Sequence, residues 1–204
     1  VQESPWHCLR FGDAAIGYVV RMRFPRYDIR QSYRWNYDHP PDPVDVDVPE
    51  LAGSWTFAGL PTASPLGIPA GPLLNSGWIL YYASLGFDVL TYKTVRSSGR
   101  ECYDLPNLVH VPDFDRTDAG ESDLVAASSS TQSWAVSFGM PSMEPDQWRA
   151  DIESCRRQLA PEKILNVSVV GTVQPDWTMN ELAADYARCA KWAIESGADS
   201  VEAN

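Results

Sequence analysis

From residue 54 onward, apolar positions alternate between short runs of strand character and longer stripes of helical period. "SWTFAGLP" (54–61) alternates as a short strand does, and "SPLGIPAGP" (64–72) predicts an apolar strand running into Gly71 and Pro72. "NSGWILYYASLG" (75–86) then predicts a helix capped near Asn75 or Ser76 and closed by Gly86. "FDVLTYKTV" (87–95) follows as a buried strand. A strand, a helix and a strand within about 30 residues make a βαβ unit with parallel strands and a right-handed crossover.

The alternation resumes after residue 142. In "EPDQWRADIESCRRQLA" (144–160), Trp148, Ile152, Cys155 and Leu159 share one helical face, with Pro145 at an early position where its missing N–H costs nothing. "KILNVSVVGT" (163–172) is the third strand. "TMNELAADYARCAKWAIESG" (178–197) opens with Thr178 and Glu181 in capping-box spacing, ends at Gly197, and is expected to bury Leu182, Tyr186, Ala190 and Ala193. "DSVEAN" (199–204) reads as the fourth strand. Four parallel strands joined by helices fit either a doubly wound sheet or half of a (β/α)8 barrel. "GIPAGPLLNSG" is not the GxGxxG dinucleotide fingerprint. In both architectures ligands collect at the carboxyl ends of the strands, here Ala70-Gly71, Lys93-Thr94, Val170 to Thr172 and Glu202 to Asn204.

Two segments stand outside this alternation. Residues 1–50 read as an N-terminal arm wrapped on the body: arginines crowd positions 10 to 34, and "DHPPDPVDVDVPE" (38–50) has the composition of an extended connector. Aromatics interleave with arginine in "RFPRYDIRQSYRWNYDH" (23–39), a pattern that could stack bases, but pairing of the arginines with neighbouring acids is the simpler account. "AAIGYVVRMRF" (14–24) is expected to dock as a helix rather than lie on a membrane. Residues 96–142, rich in Ser, Asp, Gly and Pro, form a long loop insertion, and loops of that length in a domain commonly serve function.

Charge narrows the partners. A formal net charge of -11 over 204 residues repels phosphate backbones and anionic lipid, so a small molecule is expected, not nucleic acid. No stretch approaches the roughly 18 apolar residues of a membrane span. Four cysteines without a CxxC pair, two of them on helices, suggest reduced thiols and a cytoplasmic location. The Asn166-Val167-Ser168 sequon lies in a strand and reads as chance. The chain opens on Val1 and stops on apolar "SVEAN", which suggests a piece of a longer protein.

One of only three lysines, Lys93, falls within the apolar run of the second strand. Either it snorkels to water from the strand end or it serves a site. "SPLGIPAGPLLNSGWILYYASLGFDVLTYKTVRS" (64–97) resembles the opening βαβ of the dihydroorotate dehydrogenases, flavoproteins with a (β/α)8 barrel that hold FMN at the carboxyl ends of the strands. "SWAVSFGMPSM" (133–143) resembles their substrate-loop segment, and "GADSVEAN" (197–204) the strand that leads into their catalytic loop. The fold class implied is α/β, with about the first four βα units of a (β/α)8 TIM barrel in 51–204.

The resemblance implies site roles residue by residue. Ala70 and Gly71 match small residues whose backbone runs against the flavin ring. Lys93 matches the lysine near flavin and substrate, and Thr94 the hydroxyl residue beside it. Ser137, Phe138, Gly139 and Met140 match the substrate loop, but Val136 replaces the family's asparagine and cannot make its amide hydrogen bonds. Asn166 and Asn204 match amides directed at flavin or substrate. The catalytic base of the family would fall just beyond Asn204, so no catalytic residue is assigned within the chain, and no metal is expected. The implied function is FMN-dependent oxidation of dihydroorotate to orotate in pyrimidine biosynthesis. Two alternatives remain: a related flavin dehydrogenase with another dihydropyrimidine-like substrate, and a non-catalytic half barrel whose open edges bind a partner or a second copy as a homodimer.

Overall fold

The computed structural model describes residues 24–111 and 133–204. The expected helix in 14–24 lies almost wholly outside them, as does Cys8. Four parallel strands form one sheet in the order β3 (Gly67–Ile68), β4 (Val89–Val95), β7 (Ile164–Val169), β8 (Ser200–Ala203). Successive strands are spatial neighbours, joined by α2 (Ser76–Ser84), α3 (Pro145–Gln158) and α4 (Met179–Glu195). The first strand is far shorter than its apolar run suggested: only Gly67 and Ile68 pair with β4, because Pro65 and Pro69 bracket them and lack the N–H that a ladder needs.

The helices end where their chemistry dictates. The Asn75 side chain accepts from the Trp78 N–H at 3.2 Å, and Gly86 takes a φ of +92° past the last turn of α2. Thr178 and Glu181 form the expected capping box of α4. On α4 the buried line is Asp185, Cys189 and Ala193, with Tyr186 and Ala190 packed at its flank and Leu182 only half-buried. Of the expected stripe Ala193 is fully buried, while the line toward the N-terminus of α4 runs one residue off from Tyr186 and Ala190, through Asp185 and Cys189. Cys102, Cys155 and Cys189 are free thiols.

One face of the sheet is apolar and covered by helices. Leu90, Tyr92, Leu165, Val167 and Val169 pack with Trp78, Ile79, Trp148, Ile152 and Cys155 in a single core. The Asp151 carboxylate of α3 stitches this layer: it accepts from the Ser76 N–H at 2.8 Å at the start of α2 and from the Tyr92 hydroxyl at 2.7 Å. Replacing Asp151 by alanine would strand a buried tyrosine hydroxyl. We expect a loss of about 2 kcal/mol, read as a lower urea midpoint.

Three local structures were not legible, one of them an antiparallel pair of strands, 108–110 with 134–136, inside the stretch read as a long loop. "SWTFAGLP" is a hairpin, β1 (Trp55–Phe57) paired antiparallel with β2 (Leu60–Thr62). Its two-residue turn, Ala58 (φ +48°) and Gly59 (φ +81°), has the positive dihedrals of tight hairpins without the Asn-Gly signature. The arm contains a short helix, α1 (Tyr33–Asp38), capped by Ser32 and anchored by Tyr33 and Tyr37, which join the core. Its arginines pair locally, Arg30 with Asp28 and Arg34 with Asp38.

Candidate functional site

A cavity of about 560 Å³ opens beyond the carboxyl ends of β3 and β4. Its lining includes Ala70, Gly71, Lys93, Thr94, Ser137, Phe138, Gly139, Met140 and Asn204, nine of the ten residues expected at a site. These come from four separate stretches of sequence, and the fold gathers them at the end of the sheet where α/β proteins bind ligands.

Neighbouring strand residues ordinarily point to opposite faces, yet Lys93 and Thr94 both line the cavity. The cause is a bulge: Tyr92 pairs with Val167 but Val95 pairs with Val169, so β4 spends one residue more than β7 over this span. The extra residue turns both side chains toward the cavity. The Lys93 N–H donates to the Leu73 carbonyl at 2.9 Å, fixing the β3–α2 loop against the strand.

Lys93 is 7% exposed. Burial, reinforced by the nearby Arg96 charge, pushes its ammonium down to about 8 from an ordinary 10.5. Among the described residues, Lys163 pairs with Asp88 and Lys191 with Glu195, while Lys93 has no carboxylate within ion-pair distance. It is a nearly buried cation facing open space. The Cys102 thiol interacts with it electrostatically, and burial pushes that thiol up.

Thr94 is already engaged: its hydroxyl lies 3.0 Å from the Ser168 hydroxyl and accepts from Asn204 Nδ2 at 3.4 Å. Asn204 is further held by its N–H to the Val169 carbonyl at 2.9 Å and by Tyr186, whose hydroxyl donates to the Asn204 carbonyl at 2.7 Å. The amide at the end of β8 is therefore oriented, not loose.

Gly71 carries a φ of +133°, and a Cβ built there would meet nothing within 4 Å. A flat ring can approach this backbone closely, and the space it needs is the space a side chain would fill. The cavity is also lined by the segment after β6 (Trp134–Val136), a strand that pairs with β5 (Leu108–His110) inside the long 96–142 stretch. Gly139 (φ +74°) and Met140 (φ +49°) turn the chain into the cavity wall. Val136 stands 64% exposed beside the cavity, directly across from Leu108, so that part of the wall is apolar.

Asn166 does not reach the cavity. Its Nδ2 donates to Thr91 Oγ1 at 3.2 Å and its Oδ1 accepts from Ser200 at 2.8 Å, a polar layer buried one pleat deeper. The cavity also uses Tyr27 and Tyr33, which the sequence left among the arm's stacked aromatics. The Tyr27 and Phe138 rings meet edge to face at 5.6 Å, so the arm closes one side of the site. The Tyr27 phenol is pushed up to about 12, chiefly by burial, and stays neutral at physiological pH. No group of metal-ligating side chains occurs among the described residues. No helix among them is long and apolar enough to cross a membrane.

Comparison with known proteins gives this arrangement a context. The chain is 31% identical to a dihydroorotate dehydrogenase of Dictyostelium discoideum over 196 residues, covering 88% of this chain and 52% of that protein. It spans about half the length of the curated relative it matches. Two solved structures of DHODH from Eimeria tenella are similar at 20% identity, one in complex with ferulenol and one ligand-free. Their TM-scores are 0.50 and 0.51, each match covers 80% of this chain, and they cover 39% and 40% of those chains. At that identity they bear on the fold alone, an α/β sheet with helices. No family model matches the chain.

Proposed function

We propose, from a chain that belongs to the dihydroorotate dehydrogenase family, that these residues are the N-terminal half of an FMN-dependent oxidoreductase. Its reaction is the oxidation of dihydroorotate to orotate in pyrimidine biosynthesis. In this reading residues 51–204 supply the first four βα units of a (β/α)8 barrel. Residues 1–50 are its arm, and 96–142 its long loop insertion. The cytoplasm is the location we infer, in keeping with free thiols at Cys102, Cys155 and Cys189.

The observation that carries the reading is the buried, carboxylate-free Lys93 lining the same cavity as the open backbone of Gly71. The donor set fits the cofactor. A cation favours a bound anion, Ala70 and Gly71 leave room for a planar ring, and Asn204 offers both a donor and an acceptor to a uracil-like edge. FMN, when bound, supplies the hydride acceptor. The protein's share is orientation and electrostatics. Lys93 attracts the carboxylate of an orotate-like substrate, Ser137 presents a hydroxyl, and Gly139 and Met140 close the wall behind it. Tyr27, Tyr33 and Phe138 exclude water from one side. The proton acceptor is assigned to the position three residues past Asn204, at the start of the half that would complete the barrel.

The test uses the full-length protein. It should purify yellow or take up FMN, and under anaerobic conditions dihydroorotate should bleach the flavin absorbance. A protein that stays colourless with excess FMN would remove the proposal. A yellow protein that dihydroorotate leaves unreduced would remove the substrate assignment alone.

A further inference from the structure

The cavity is walled by different parts of the chain, and Arg96 is bonded to one wall at Met140 and to a loop, at Gly171 and Thr172, that lies outside the lining. It follows β4, is 5% exposed, and is fixed at its root: its N–H donates to Ser142 Oγ at 3.1 Å and its carbonyl accepts from Trp148 Nε1 at 3.1 Å. Its head then reaches two separate loops. Nε donates to the Met140 carbonyl at 3.1 Å. Nη1 donates to the Gly171 carbonyl at 3.1 Å and, more weakly, to Thr172 Oγ1 at 3.4 Å.

Each loop needs that bond. Met140 lines the cavity in a left-handed conformation that residues other than glycine rarely adopt, so something must hold it there. Gly171 sits where a Cβ would come within 2.6 Å of Leu182 and 2.7 Å of Tyr186. Tyr186 in turn holds the carbonyl of Asn204, which lines the cavity. A continuous path therefore runs from Met140 through Arg96, Gly171 and Tyr186 to Asn204. A guanidinium is suited to it because its planar fork can serve two acceptors in fixed directions, which an ammonium on a flexible stem cannot.

We propose that Arg96 is a positioning residue that fixes the spacing between the Met140 wall and the Gly171 loop that supports Asn204 through Tyr186, so that a planar ligand meets a preformed slot. The ligand part of this assignment rests on the proposed function; the coupling of the wall to the loop does not.

The experiment is hydrogen exchange on the full-length protein without ligand, for wild type, Arg96→Ala and Arg96→Lys. Losing bonds from a charged donor should speed exchange at least about tenfold in 137–143 and in 171–174 together, while α2 and α3 keep their wild-type protection. Millimolar guanidinium should restore the protection in Arg96→Ala. Acceleration in one segment only, or spread evenly through α2 and α3, would overturn the coupling. If Arg96→Ala does not fold, Arg96→Lys decides by the same pattern. The ligand arm is FMN titration: affinity should fall at least about tenfold in Arg96→Lys, and unchanged affinity would overturn the slot. Should wild type bind no FMN, the proposed function fails and the exchange pattern alone decides the coupling.

Discussion

Lys93→Met should make the protein more stable at neutral pH and at the same time disable its site. The sign follows from the shift. In the unfolded chain the ammonium titrates near 10.5, in the folded protein near 8. Below about pH 8 both states hold the proton, and the folded state bears the full cost of a buried cation. Above the ordinary lysine range neither holds it, and the cost vanishes. Between the two the unfolded state binds more protons, so wild-type stability rises with pH, by about 3 kcal/mol across the window. Methionine has nearly the same shape and no charge, so the variant should show a flat profile there and exceed wild type at neutral pH by a similar order of magnitude.

The same substitution removes the cation that an anionic ligand would meet in a water-poor cavity. Loss of one partner of such a pair should lower affinity for FMN or orotate by roughly 10²- to 10³-fold. Urea midpoints at two pH values and a ligand titration measure both halves. A variant less stable than wild type, with the same affinity, would mean that Lys93 is a packing residue whose head finds water. The opposed outcomes separate a functional cation from a structural one, since a residue kept for stability should not stabilise when lost.

The reasons some elements were legible and others were not lie in how far each signal reaches along the chain. Helix caps at Asn75 and Thr178 act over three residues, so their side chains announce them locally. The end of the sheet where the cavity opens was legible for a similar reason: strand, helix and strand in close succession fix which termini point the same way. Lys93 stood out because a charge inside an apolar strand conflicts with its surroundings, and such conflicts mark sites.

What escaped depends on partners distant in sequence. Nothing in "VLTYKTV" signals the bulge that brings Lys93 and Thr94 to the same side, because a bulge is a property of a strand and its neighbour together. Arg96 fell at the start of the long loop insertion; its importance appears only when Met140 and Gly171 are brought within reach of one fork. Tyr27 and Tyr33 were hidden in a segment whose arginines dominated its composition. Asn166 shows the opposite failure. It has the right residue type in the right strand, yet Thr91 and Ser200 satisfy its amide a pleat below the cavity.

Gly71→Ala and Gly59→Ala form a pair in which backbone strain is common and ligand space is not. Both glycines hold positive φ, +133° and +81°, and at neither would a Cβ touch anything within 4 Å. Alanine at either position therefore carries a conformational cost of about 1–3 kcal/mol with no clash inside the protein. Only Gly71 lines the cavity, whereas Gly59 turns the β1–β2 hairpin. If the open space above Gly71 is where a flat ring lies against the chain, its Cβ lands on the ring. Gly71→Ala should then lower FMN affinity at least about a hundredfold, while Gly59→Ala should lose comparable stability and bind as wild type does. Equal losses of affinity in the two variants would attribute the effect to destabilisation alone. Retained affinity in Gly71→Ala would mean that the ring approaches another part of the wall, and the close backbone contact at the end of β3 would have to be given up.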